Sequence, residues 1–384
     1  MTIDWSEWLN LAFRWLHLVA GIAWIGSSFY FVWLDNHLKQ PAAGDASGEV
    51  WSVHGGGFYH KQKYQVAPAR MPEELHWFKW EAYFTWISGF SLLVLIYYVG
   101  ADSFLLDPAE APLGAGAGIA IGLAALLLGW LVYDGLCRSP VGSNNLALGL
   151  FWFACLLFAA SLLDGLFNSR AAYLHVGAMI GTVMVANVFF IIIPNQRKVV
   201  ADLVAGRTPD PKLGAAARQR SLHNNYMTLP VLFIMISQHY PMTYGARRPW
   251  LVLALLGLTG VAIRHVFNLR GRGKPYGSTI ALALVLAAAS VTYVTLEKSG
   301  AASGQAVTYA QVQPILATHC ASCHNVPAPP LGVRLDNWEH VKAAAARIRR
   351  VAVNSQAMPL GNPTRMTPAE RQQLGAWIAA GTPR

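Results

Sequence analysis

The residues best suited to chemistry lie near the end of the chain, at Cys320-Ala-Ser-Cys323-His324. Two thiols at this spacing can form thioethers to one porphyrin while the next residue turns its imidazole onto the iron, so the segment reads as a c-type haem attachment site. A zinc knuckle or a redox dithiol is the competing reading of the pair, but the chain offers no second ligand pair at zinc spacing, and the histidine that follows is the haem form. The iron then needs a sixth ligand. Met358, next to Pro359 in a Gly/Pro/Asn-rich stretch, is the expected thioether donor, with Met366 as the alternative. Cofactor-binding residues are thus expected at Cys320, Cys323, His324 and Met358, with His324 and Met358 on the iron. The remaining cysteines, Cys137 and Cys155, sit in or beside apolar runs and read as small buried hydrophobes.

Two further groups of polar residues fall in apolar surroundings. His17, His175 and His239 form the first. Each histidine alone reads as an interhelical hydrogen bond, and the three together raise axial ligation of a b-type haem, or the lining of a redox pocket, as the other reading. The second group comprises Asn195, then His223, Asn224, Asn225 and Thr228, then Arg264, His265 and Asn268. Amides, a hydroxyl and cations at one depth suit a flat, polar, anionic heterocycle, since amides both donate and accept while Arg grips anionic oxygens. Helix capping and interfacial anchoring are the alternative for the asparagines, but they account less well for Arg264 and His265, which lie inside an apolar run.

The elements that must carry these residues are membrane-like. Of 384 residues, 54% are hydrophobic and 12% charged, against roughly 25% charged in a soluble domain. A span needs about 20 mostly apolar residues. Eight candidate runs lie near 8–34, 82–100, 115–134, 146–164, 173–194, 227–241, 250–268 and 279–297, the sixth being short and bracketed by Pro230 and Pro241. The net charge of +10 resides in loops between these runs, so nucleic acid is not an expected partner and membrane lipid is. With the N-terminus outside, Lys39, Lys61, Lys63, Arg138, Arg197, Lys198 and Arg218 are among the many inner basic residues, whereas the outer loops hold only Arg170, Arg247, Arg248 and Lys298. Eight spans return the chain to the outer, periplasmic side of a bacterial cell membrane, where haem c is attached. The first run lacks a basic flank and a small-residue cleavage site, so it is expected to be retained.

The expected architecture is therefore all-α: a polytopic bundle of about eight transmembrane helices over residues 1–298, a flexible small-residue linker at 299–306, and a small class I-like cytochrome c domain at 307–384. Laying Leu16-His17 over Leu174-His175 aligns the first span with the fifth and suggests a 4+4 repeat, which would place His17 and His175 at equivalent depths near the outer face. The long loop 36–80 carries His54, His60 and His76 around Gly55-Gly56-Gly57 without ligand spacing, and no metal is expected there.

The runs His-Asn-Asn-Tyr-Met-Thr-Leu-Pro (223–230), Ser-Gln-His-Tyr-Pro (237–241) and Asn-Val-Phe-Phe-Ile-Ile-Ile-Pro-Asn-Gln (187–196), with Arg264-His265 and the CASCH segment, resemble the bacterial membrane-bound urate oxidases (urate hydroxylases) with a fused C-terminal cytochrome c. The likeness covers essentially the whole chain. It implies oxidation of urate to 5-hydroxyisourate, with electrons passing to the c-type haem and on to a respiratory acceptor, a cytochrome or terminal oxidase, without hydrogen peroxide. On that reading Arg264, His265 and His223 are the expected catalytic residues, and Asn224, Asn225, Thr228, Asn195 and Asn268 the expected substrate contacts. An inner-face substrate and an outer-face haem leave two arrangements open: a second cofactor such as haem b bridging the membrane, or a site nearer the outer face, at His17, His175 and His239. The rival function is a quinol-to-cytochrome electron-transfer subunit, whose signature, two histidine ligands on each of two helices, is missing here.

Overall fold

The computed structural model describes residues 5–42, 44–68, 71–106, 112–300, 307–354 and 356–384. The first four residues, and the expected linker beyond Gly300, lie outside them. The chain opens with α1 (Trp5–His37), a 33-residue helix. A two-stranded antiparallel hairpin follows, β1 (Gly48–His54) and β2 (Gly57–Lys63), inside the stretch expected to be a loop. Gly55 and Gly56 form its tip with φ of 58° and 78°. Two successive positive values are what a tight primed turn requires, and glycine meets them without steric cost.

The bundle continues with α2 (Trp80–Leu93), which runs on as a π-helical turn to Tyr98, α3 (Ala115–Arg138) and α4 (Asn145–Asp164). Next, α5 (Ser169–Ala186) passes through a π turn at Asn187–Ile192 into α6 (Ile193–Val204). Pro194 lacks an N–H and its ring crowds the carbonyl four residues back, so the wide turn forms just ahead of it. After these come α7 (Pro211–Ser237), α8 (Pro249–Gly271) and α9 (Gly277–Gly300).

Six of these helical segments are long and apolar enough to cross a membrane: Trp5–His37, Ala115–Arg138, Asn145–Asp164, Ser169–Val204, Pro249–Gly271 and Gly277–Leu296. The expected second and sixth spans are helical but fall outside this group. At about 1.5 Å per residue, the 27 residues of α7 still extend some 40 Å. It lies antiparallel along α8, with Asn225 against Arg264 and Asn268, Tyr226 against His265, and Leu229 against Gly260. α2 lies antiparallel along α1 in the same way, Thr85 and Ser88 meeting His17. Leu127, Leu128, Leu131, Leu150, Phe151, Phe158, Leu284 and Val285 project from α3, α4 and α9 with no protein over them, the surface expected of helices that face hydrocarbon.

α5 is the most enclosed helix, and its residues Ala171, Ala172, Val176, Ile180 and Val183 form the centre of the main core. The C-terminal part is a smaller helical unit of α10 (Tyr309–His319), the one-turn α11 (Ala321–His324), α12 (Trp338–Ile348) and α13 (Pro368–Ala379). Its own core joins Val312, Leu316, Val341, Ile348, Leu374 and Trp377. The molecule is thus mostly helical, with one hairpin that an all-α expectation omits.

Candidate functional site

The expected inner polar group divides into two clusters on either side of α7. Adjacent residues on a helix point about 100° apart, so Asn224 and Asn225 reach different neighbours. Asn224 joins the first cluster. Its Nδ2 donates to Met184 O (2.9 Å), and its Oδ1 accepts from Asn187 (2.8 Å). Asn187 is fully buried and also lies near Tyr133 Oη (3.3 Å) and Arg220 (3.4 Å). Arg220 pairs with Asp134 at 2.6 Å, and Tyr133 Oη meets His223 Nδ1 at 2.8 Å while His223 Nε2 meets Asn145 Oδ1 at 3.0 Å. His223 therefore has both ring nitrogens engaged. This cluster ties α3, α4, α5 and α7 together, and Tyr133, Asp134, Asn187 and Arg220 are members that sequence reasoning did not single out as site residues.

The second cluster faces open space. Asn225 Oδ1 accepts from Arg264 Nε (2.9 Å) and Asn268 Nδ2 (3.0 Å), and the Arg264 guanidinium stacks 3.8 Å from the centre of the Phe29 ring. Asn225 Nδ2 and Asn268 Oδ1 are buried without partners. Arg264 and Asn268 line a cavity of about 430 Å³ with Phe29, Trp33, Asn36, His37, Phe267 and Arg270. The aromatic and amide residues of α1 had no sequence signal beyond being the polar end of a long apolar run. His265 does not line this cavity, and its Nδ1 meets Tyr226 Oη at 2.6 Å. Thr228 bonds back to its own helix at Asn224 O, and Asn195 ties α6 to Leu213 O at the start of α7.

The three membrane histidines are not brought together. His17 Nδ1 lies 2.9 Å from Thr85 O, with its ring against Gly89. His175, fully buried, donates through Nδ1 to Ala171 O (2.8 Å), and its Nε2 lies 3.2 Å from Tyr98 Oη. A Cβ at Gly122 would stand 2.7 Å from that Nε2, so only glycine admits the imidazole. Ser88 and Tyr98 are ten residues, about 15 Å, apart along the α2 segment, so His17 and His175 occupy different levels. His239 is exposed in the turn after α7.

A larger cavity, about 680 Å³, opens at the other end of the bundle, where the loops after α2, α4 and α7 meet residues 356–371 of the C-terminal unit. Tyr97, Asp164, Arg170, Gln238, Arg247 and Trp250 line it from the bundle, and Pro359, Leu360, Met366 and Arg371 from the other side. Gln356 packs on Gly245, where a Cβ would come within 3.0 Å of its amide, and Gly361 sits beside the Phe104 ring.

In the C-terminal unit His324 Nδ1 donates to Val333 O at 2.8 Å, which fixes the ring and leaves Nε2 as the free ligand atom. Cys320 is half-buried and Cys323 exposed. Met358 is 37% exposed, whereas Met366 is 3% exposed and packed in the domain core. The Met358 backbone is anchored at both ends: its N–H donates to Val351 O (2.9 Å) and its carbonyl accepts from the buried Arg371 (2.6 Å), which also donates to Ala352 O. His319, just before the CASCH segment, meets Thr364 Oγ1 (2.7 Å) and Glu370 Oε1 (3.2 Å) across the domain. Hydrogen bonds from the Thr367 backbone and hydroxyl hold the Glu370 carboxyl below its usual range. Leu331 and Leu360 stay 95% and 79% exposed, leaving apolar surface beside both the histidine and methionine segments. Paired thiols, an oriented imidazole, an anchored thioether and uncovered leucines fit a haem. Among the described residues no group of three or more His, Cys, Asp and Glu is placed to hold a bare metal ion.

Apolar helices with lipid-type outer faces, and arginines and amides enclosed between them, are compatible with a multi-pass membrane protein. Residues 4–295 match the family described as urate oxidase N-terminal, and the chain belongs to that family. The membership supports an oxidoreductase of urate-related oxidation. No curated protein matches the chain, and neither does any solved structure.

Proposed function

We propose that this protein oxidises urate to 5-hydroxyisourate in a bacterial cell membrane and delivers the electrons to its own C-terminal domain, without producing hydrogen peroxide. The observation that carries this reading is the family match over residues 4–295, continuous on one chain with a CASCH segment whose histidine is oriented as a ligand. The step balances as follows: the urate monoanion loses two electrons, one water oxygen is added at carbon 5, and one proton is released. A haem attached through Cys320 and Cys323 and ligated by His324 and Met358 would supply, when bound, a one-electron acceptor. The chain's own groups do the rest. Val333 O and Arg371 fix the ligand positions, and arginine and amide donors hold the purine anion. From the outer side the electrons continue to a respiratory cytochrome or oxidase.

Of the expected site residues in the bundle, Arg264, expected to be catalytic, and Asn268, an expected substrate contact, line the inner cavity, with Asn225 holding both from behind. Both ring nitrogens of His223 are engaged, by Tyr133 and Asn145, whereas His265 is bonded through Nδ1 alone, to Tyr226, so of the two His265 is the better placed to act as a base. Met358, the more exposed of the two methionines of the C-terminal domain, would supply the thioether ligand of a bound haem. Met358→Leu is expected to abolish the optical signature of thioether ligation while the covalent haem remains, and Met366→Leu to leave that signature in place; an absorption spectrum of each purified variant decides. The function itself is tested by adding urate anaerobically to the oxidised protein and following the c-type haem bands, which are expected to shift to the reduced form.

A further inference from the structure

We propose that urate is oxidised in the larger, outer cavity, held by Arg170 and Gln238 against the methionine-bearing loop of the C-terminal domain. This assignment rests on the urate reading above and deepens it by naming the site.

Distance is the first argument. Trp250 and Phe267 lie on α8, one lining each cavity, and 17 residues of helix separate them by about 25 Å. Electron transfer weakens exponentially with separation, so a purine in the inner cavity would be poorly coupled to an acceptor in the C-terminal domain. The outer cavity is walled by that domain itself: Ala357 and Pro359, the neighbours of Met358 in sequence, both line it.

Chemistry is the second argument. Arg170 donates to Gln238 Oε1 at 3.1 Å, which orients the amide so that its nitrogen has no protein partner among the described residues. Arg170 Nε and Tyr97 Oη are also buried without partners, and Tyr97 is 1% exposed. An unpaired buried polar atom costs roughly 1–3 kcal/mol; the Gln238 amide nitrogen, which is not among the solvent-inaccessible atoms, is the donor that a ligand oxygen would reach directly. Among the described lining residues, Arg170 and Arg371 are cationic beside the carboxylate of Asp164. The balance favours an anion, although Arg371 is already committed to backbone carbonyls. Tyr244 and Trp250 supply ring faces for a planar ligand. His175 lies behind Tyr97, with ring centres 6.4 Å apart, and His239 follows Gln238 in the chain.

The test is equilibrium dialysis of labelled urate against the full-length holoprotein kept reduced with dithionite, which cannot take electrons and so reports binding alone. Arg170→Gln and Gln238→Glu are each expected to weaken urate binding about tenfold or more with the haem spectrum unchanged. Gln238→Glu keeps the side chain's shape while placing a negative charge beside the anion, so it decides the matter if Arg170→Gln fails to fold. Wild-type binding that survives in both variants but is lost in Arg264→Gln would overturn the outer site and leave the urate reading standing. No urate binding by the wild type would overturn the urate reading itself.

Discussion

Replacing Cys320 and Cys323 together with alanine is expected to remove covalent haem from the protein and reduce urate-dependent electron delivery to background. The two thiols are the only cysteines of the C-terminal domain; Cys320 is the N-cap of α11 and Cys323 lies within it. His324 would keep its bond to Val333 O, so the imidazole would stay oriented with no porphyrin anchored beside it. The domain should also lose stability, because a core of this size is marginal alone and Leu331 and Leu360 would remain uncovered. Haem staining after denaturing electrophoresis reads the covalent bond directly, and urate consumption with an added electron acceptor reads the function. Undiminished consumption in the variant would mean that electrons leave the bundle by another route.

The second large effect concerns stability. Arg220 is 4% exposed and its partner Asp134 16%, with 2.6 Å between their charged atoms. Asp134→Leu leaves the buried Arg220 guanidinium without its carboxylate, and removing one partner of such a pair costs about 3–5 kcal/mol. Arg138 also pairs with Asp134 but is largely exposed, so it can turn to solvent and adds little. The double variant Asp134→Leu/Arg220→Met should recover much of the loss, because it leaves no charge uncompensated. Thermal unfolding of the detergent-purified protein measures both. A single variant as stable as the wild type would show that the pair is not what fastens α3 to α7.

The expectation for the C-terminal segment came from local chemistry: two thiols and a histidine within five residues need no fold to be read as a haem attachment motif. The helices were legible because long apolar runs have one economical structure in hydrocarbon. α2 and α7 were harder to read, since Pro230 and the polar start of α7 dilute the apolar signal of a helix that nonetheless runs the length of α8. The hairpin was missed because Trp51, Val53, Phe58 and Tyr59 lie in a short, mixed stretch whose pairing depends on the Gly55-Gly56 turn. The inner polar group was visible as a set, but its division was not: Asn224 and Asn225 are neighbours in sequence and belong to different clusters. The outer cavity was the least legible. Its walls come from residues near 97–104, 161–170, 238–250 and 356–371, each an unremarkable loop until the fold brings them to one place. Arg170 read only as a basic residue outside the membrane, and Gln238 only as part of a family run.

The most direct measurement is the optical spectrum of the purified, oxidised full-length protein before and after anaerobic urate, with haem b and haem c counted separately. The account predicts reduction of the c-type haem by urate alone, with 5-hydroxyisourate formed and no hydrogen peroxide. A haem that stays oxidised in urate but is reduced by quinol would contradict it, and would make the protein an electron-transfer subunit without purine chemistry.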